Sequence, residues 1–230
     1  MNDLPSSRIA IARAVFIKDD MMKNENLIWL VKPLGYQSIT KRCPACEIKK
    51  LFYPSGCFRV NAQKKTLDVW NIYKCEKCDY TWNIDIYTRI SNTKLPPEVL
   101  EYFLQNNIEQ VRRYSYDYSV LKKNSAKTGP TPEFIIEGAD PCELDSTAVV
   151  QIQILFEFAI PVRLIHILSR KLLLSRNDVM RLIEQQVILD IPPSGLNKKL
   201  KQPLAFRFDL QRFHQLAPSK TPPAAQPLVN

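Results

Sequence analysis

Two C-x2-C pairs, Cys43-Pro44-Ala45-Cys46 and Cys75-Glu76-Lys77-Cys78, constrain this 230-residue chain more than any other feature. In each pair the backbone can fold back tightly enough for both sulfurs to reach one ion. Two pairs supply the four thiolates that Zn2+ takes in tetrahedral coordination at about 2.3 Å. The 28 residues between the pairs have room for a β-hairpin, because residues 49–74 contain two candidate strands. Buried thiols, or a redox C-x-x-C, are the competing readings. A redox pair opens a helix in a βα unit, whereas Cys78 leads straight into an alternating, strand-like run. Four thiolates leave no open position for a substrate or an activated water, so the expected cofactor is one structural Zn2+ held by Cys43, Cys46, Cys75 and Cys78. Such an ion contributes on the order of 10–16 kcal/mol of binding free energy coupled to folding. A module this small could hardly bury enough apolar surface without it. Knuckles of this kind often carry Gly after the second Cys, where φ is positive. Glu47 and Asp79 stand there instead, and Asp enters that region more readily than Glu.

The strand after the second pair, Tyr80 to Tyr87, sends Tyr80, Trp82, Ile84 and Ile86 one way and Thr81, Asn83, Asp85 and Tyr87 the other. Short strands fill the chain from Leu27 to about Ser91. Pro96 and Pro97 then open a bridging helix, with Leu100, Phe103, Leu104, Ile108 and Val111 at helical spacing. Lys, Gly, Pro, Thr and Asp between Lys122 and Thr147 read as a linker or long loop, with Cys142 inside it. Val149 to Phe158 is extended, and two helices follow, Val162 to Leu173 and Ser175 to Gln186. Cys57, alone between Gly56 and Phe58, reads as a small core residue. The expected domains are a flexible leader at 1–24, the ribbon at 25–92, the bridging helix and linker at 93–147, a helical module at 148–215 and a Pro- and Ala-rich disordered tail at 216–230. Met21 or Met22 could also serve as a translation start.

The net charge of +9 favours acidic partners such as nucleic acid. Lys41, Arg42, Lys49, Lys50, Lys74 and Lys77 around the knuckles have a simpler role, because a four-thiolate zinc centre carries about two negative charges for them to offset. No run is long and apolar enough for a membrane span, and Ile9 to Ile17, interrupted by Arg13, makes a poor secretory signal. A cytoplasmic protein follows, in which cysteines serve metal binding or remain thiols. Only His166 and His214 are present, without a Gly-rich phosphate loop or a Ser/His set. The expectation is a protein that is not an enzyme and takes no small-molecule substrate.

The helical segment from Val162 to Glu184 carries the functional expectation. Leu164, Ile167, Leu168 and Leu172 share one helix face, and Arg163, His166 and Arg170 line another. Ser175 caps the second helix with Asp178 at the capping-box position, and Arg176 stands where backbone N–H groups point outward. Arg163-Leu164 with Leu168, then Ser175-Arg176, then Leu182-Ile183 followed by Ile188, resembles the RNA-binding domain of small-subunit ribosomal protein S-four. Pseudouridine synthases and tyrosyl-tRNA synthetases share that domain. The sequence departs from its pattern at Ile165, normally Asp, at Gln186, normally Gly, and at Ile191-Pro192-Pro193, where Asn-Gly is usual. The resemblance implies that Arg163, Arg170, Lys171, Arg176 and Arg181 face RNA, helped by Lys198, Lys199 and Lys201.

Arg42-Cys43-Pro44-x-Cys46, Phe58-Arg59-Val60-Asn61-Ala62, Leu67-Asp68-Val69-Trp70-x-Ile72-Tyr73-x-Cys75-x-x-Cys78 and Tyr80-Thr81-Trp82-Asn83 together resemble the bacterial family named domain of unknown function 1062, over about residues 26–210. That resemblance implies a bacterial cytoplasmic protein and no particular reaction. The chain is thus expected to be α+β: a small antiparallel zinc ribbon, a bridging helix and a small α/β S-four-like module that binds ribosomal or transfer RNA. The alternative is a protein-binding adaptor, with the ribbon strands and Tyr114, Tyr116 and Tyr118 facing a protein partner.

Overall fold

A computed structural model describes residues 26–144, 149–200 and 202–216. The expected leader, the tail beyond Leu216 and Lys201 lie outside the described residues. In chain order the strands are β1 (Asn26–Pro33), β2 (Ile39–Arg42), β3 (Lys49–Gln63), β4 (Thr66–Cys75), β5 (Thr81–Ser91), β6 (Lys127–Thr128), β7 (Phe134–Glu137) and β8 (Val149–Phe156). β9 (Val162–Arg163), β10 (Ile188–Leu189), β11 (Lys199–Leu200) and β12 (Leu204–Asp209) complete them. The helices are α1 (Pro97–Leu104), α2 (Ile108–Ser115), α3 (Tyr118–Lys123), α4 (Leu164–Leu172), α5 (Arg176–Glu184) and α6 (Leu210–Leu216). The fold is mixed α+β and divides into two compact units. One comprises Val31–Ile135 and Phe156–Val162; the other takes the remaining described chain.

The first unit is built on a five-stranded sheet in the order β5-β4-β3-β2-β6, whose recorded pairings are all antiparallel. Along the central β4 the residues alternate strictly: Leu67, Val69, Asn71, Tyr73 and Cys75 are buried, and their neighbours are not. Phe58, Leu67, Val69 and Ile86 pack with Phe103 of α1 and Val111 of α2, and Phe58 meets Phe103 edge-on at 4.9 Å between ring centroids. Ile39, Phe52, Tyr73 and Ile84 form a second cluster with Leu121 of α3, and Cys43 and Cys75 belong to it.

Where one bridging helix was expected, the structure has three short ones. Asn106 at φ 53 breaks the first, and Asn107 then caps α2 by accepting a hydrogen bond from the Gln110 N–H at 3.1 Å. Asp117 caps α3 in the same way through the N–H groups of Ser119 and Val120. The apolar spacing over Leu100–Val111 continued across this break, which is why periodicity alone did not reveal it. The expected core position of Cys57 is corrected too. It lies exposed where β3 bulges between Pro54 and Phe58, because the extra residues there have no partners on β4.

The second unit holds most of the five-stranded sheet β10-β12-β8-β1-β7. Val150, Ile152 and Ile154 of β8 alternate with exposed Gln151 and Gln153 and meet Phe206 and Phe208 of β12. Trp29 packs edge-on against Phe206 and donates its indole N–H to the Ala139 carbonyl at 3.0 Å. α4 buries Leu164, Ile165, Ile167, Leu168 and Leu172, and α5 buries Val179, Leu182 and Ile183. Val162 and Arg163, expected to begin the helix, instead form β9 beside β11.

Candidate metal centre and basic hairpin

The two cysteine pairs fold into matching turns. In the first, the Cys43 N–H donates to the Ile48 carbonyl at 2.9 Å and the Glu47 N–H donates to the Cys43 carbonyl at 2.8 Å. In the second, the Cys75 N–H donates to the Tyr80 carbonyl at 2.9 Å and the Asp79 N–H to the Cys75 carbonyl at 3.2 Å. Such a turn requires a left-handed residue after the second cysteine, and Glu47 and Asp79 supply it at φ 59 and φ 56. Glu therefore takes the same conformation as Asp despite its lower intrinsic preference.

The four Sγ atoms lie within 4.8 Å of one another. Two contacts join the turns, Cys43 to Cys78 at 3.4 Å and Cys46 to Cys75 at 4.0 Å. A tetrahedral ion with metal–sulfur bonds of about 2.3 Å places its ligands about 3.8 Å apart, between those two values. The donors thus fit a single ion, and four close cysteines could bind a metal structurally. Cys43 and Cys75 are buried, Cys46 is half-buried and Cys78 is exposed. Hydrogen bonding to Cys78, then burial, pushes the Cys46 thiol up to about 12. Cys75 falls to about 7: burial opposes ionisation, but the N–H groups of Lys77 and Cys78 outweigh it.

Several cations near the turns are engaged locally. Lys50 pairs with Glu76 at 3.4 Å, and the Lys41 ammonium sits 3.2 Å above the Trp82 ring, where burial lowers its pKa. Arg59 lies opposite Trp70 across β3 and β4, with its guanidinium 5.8 Å from the ring. The sequence reading missed these cation–aromatic pairs, because strand register, which composition does not reveal, decides which residues meet.

The hairpin residues separate into groups. The Leu164 N–H donates to the Lys198 carbonyl at 3.2 Å, and Arg176 Nη2 donates to Asn197 Oδ1 at 3.3 Å. These bonds draw the exposed Arg163, Arg176, Lys198 and Lys199 together. Lys171 is turned aside, its ammonium donating to the Gly138 carbonyl at 2.7 Å. Arg181 faces Asp178 at 3.5 Å, and Arg170 is exposed in the last turn of α4. Ser175 caps α5 by accepting from the Asp178 N–H, and Gln186 adopts φ 57.

The three tyrosines are packed. Tyr116 is buried and stacks on Phe158 with centroids 4.5 Å apart, while half-buried Tyr114 meets Phe58 and Phe103. The Tyr118 hydroxyl is buried as well. Arg112, which the sequence reading did not single out, joins Glu157 through two hydrogen bonds of 2.7 and 2.8 Å and lies over Phe158. Its 45-residue separation from Glu157 left no local signal.

No helix among the described residues is long and apolar enough to cross a membrane. No curated protein and no solved structure matches the chain. One family does, over residues 60–191, a span that includes the second cysteine pair and the helical hairpin. The chain therefore belongs to the family described as Protein of unknown function (DUF1062).

Proposed function

We propose that this chain is a zinc-ribbon protein that binds structured RNA through its basic helical hairpin, with one structural Zn2+ at the four cysteines and no catalytic step of its own. The observation that carries the reading is the convergence of Arg163, Arg176, Lys198 and Lys199 beside the start of α5. Four cations next to outward-pointing backbone N–H groups favour closely spaced phosphates. The order of β9, α4, α5 and β10, with a left-handed residue at Gln186 before β10, supports the resemblance to the S-four-like domain.

Anisotropy of a labelled transfer RNA, titrated at salt concentrations between about 50 and 200 mM, tests this. Neutralising four phosphates of a duplex gives a log–log salt slope of about −3.6. Replacing Arg163 and Arg176 by Glu should abolish most binding; a flat salt dependence, or unchanged affinity in that variant, refutes the reading. For the metal, elemental analysis should return one zinc per chain. The adaptor alternative has lost its tyrosine anchors to the core and rests on the ribbon strands alone.

A further inference from the structure

The outer face of the ribbon sheet has a composition that its role as a scaffold does not explain. Strand register puts Tyr53, Lys74 and Thr81 in one row across β3, β4 and β5, and Arg59, Trp70 and Asp85 in another. Both rows point away from the buried series Leu67, Val69, Asn71, Tyr73 and Cys75. Tyr53 is 44% exposed, Trp70 half-buried, and Arg59 and Lys74 exposed.

Cations alternating with open aromatic rings on a sheet suit one kind of partner. The rings offer π faces to unpaired bases and the cations meet the phosphates between them. A duplex does not fit, because its bases already stack on one another. An acidic peptide would satisfy the charges but leave the rings unused. We infer that the ribbon's outer face binds single-stranded nucleic acid, with bases stacked on Tyr53 and Trp70 and phosphates held by Arg59 and Lys74. This surface is independent of the helical hairpin and does not need that reading to hold.

The test is tryptophan fluorescence of the full, metal-loaded chain titrated with a twelve-residue oligouridine. Saturable quenching is expected. Trp70→Ala should weaken binding about tenfold, one lost stacking platform. Arg59→Glu with Lys74→Glu should reduce the log–log salt slope by about 1.4, the share of two phosphates on a single strand. Tyr53→Ala, at an exposed position, guards against a Trp70 variant that misfolds, and metal content reports the integrity of each variant. Arg163→Glu with Arg176→Glu should leave oligouridine binding intact, which separates this surface from the hairpin. Affinity within twofold of the parent in both the Tyr53 variant and the double Arg59/Lys74 variant overturns the inference. So does equal quenching by a dodecamer of glutamate.

Discussion

Replacing Cys75 by Ser tests whether the four thiolates act as one folding unit. Cys75 ends the central strand, is 2% exposed, and belongs to the cluster of Ile39, Phe52, Tyr73, Ile84 and Leu121. A metal worth roughly 10–16 kcal/mol through four ligands loses about a quarter of that, ~2.5–4 kcal/mol, when one thiolate goes. The serine hydroxyl adds about 1–3 kcal/mol if it stays buried without a partner. Together these reach roughly 3.5–7 kcal/mol, comparable to the whole stability of an ordinary domain, about 5–15 kcal/mol. The first unit should therefore be largely unfolded or metal-free at 25 °C. Urea denaturation followed by tryptophan emission reads this directly, because Trp82 packs against the same cluster. A Cys75→Ser protein that keeps one zinc per chain and an unchanged urea midpoint would refute the reasoning.

Metal binding should also release protons. Cys46 and Cys78 both have raised pKa values and are protonated near pH 7.5, so loading a four-thiolate site displaces at least their two protons. Calorimetry in buffers of different ionisation enthalpy counts them, and fewer than two would exclude coordination by both. Gly138→Ala should destabilise the second unit by about 2–4 kcal/mol, because φ is 124 there and a Cβ would strike the Ile28 carbonyl; thermal melting checks it. Leu173→Gly should stabilise that unit by about 1 kcal/mol, since Leu173 sits at φ 54 with 83% of its surface exposed, and urea unfolding measures the gain. Arg207 hydrogen-bonds Asp190 and holds its carboxyl below the usual range, so the pair stabilises the fold above the ordinary carboxylate pKa and that contribution fades as pH falls through the lowered value. Asp190→Asn should make the acid limb of the stability profile shallower; an unchanged limb would show the pair contributes nothing.

The metal cluster was legible because its information is local. Each C-x2-C pair folds on itself through hydrogen bonds spanning five residues or fewer, so adjacent sequence specifies both turns. Only their meeting is non-local, and the pairing of β3 with β4, which sets Phe52 opposite Cys75, supplies it. The alternation of Trp82, Ile84 and Ile86 gave the buried face of β5 correctly, and Ser175 was readable as a cap because its partner is three residues away. The residues that β9 joins were read as helix, because a two-residue strand has no period of its own and exists only through β11.

What stayed hidden depended on register. Arg59 and Trp70 face each other because the bulge between Pro54 and Phe58 shifts the pairing sum of β3 and β4. Before the bulge Tyr53 is paired with Lys74; after it Arg59 is paired with Trp70, and both pairs emerge on the same face. Without the two-residue shift in pairing, this sequence would set Arg59 opposite Asp68 and Trp70 opposite Cys57, and the cation would no longer lie beside the ring. The bulge that leaves Cys57 in solvent is therefore also what composes the surface inferred to take a single strand. Deleting two of the three residues between Pro54 and Phe58 should restore continuous pairing while keeping Tyr53 opposite Lys74 and Arg59 opposite Trp70, so retained oligouridine binding with the metal in place is the expected result, and its loss would show that the bulge itself takes part.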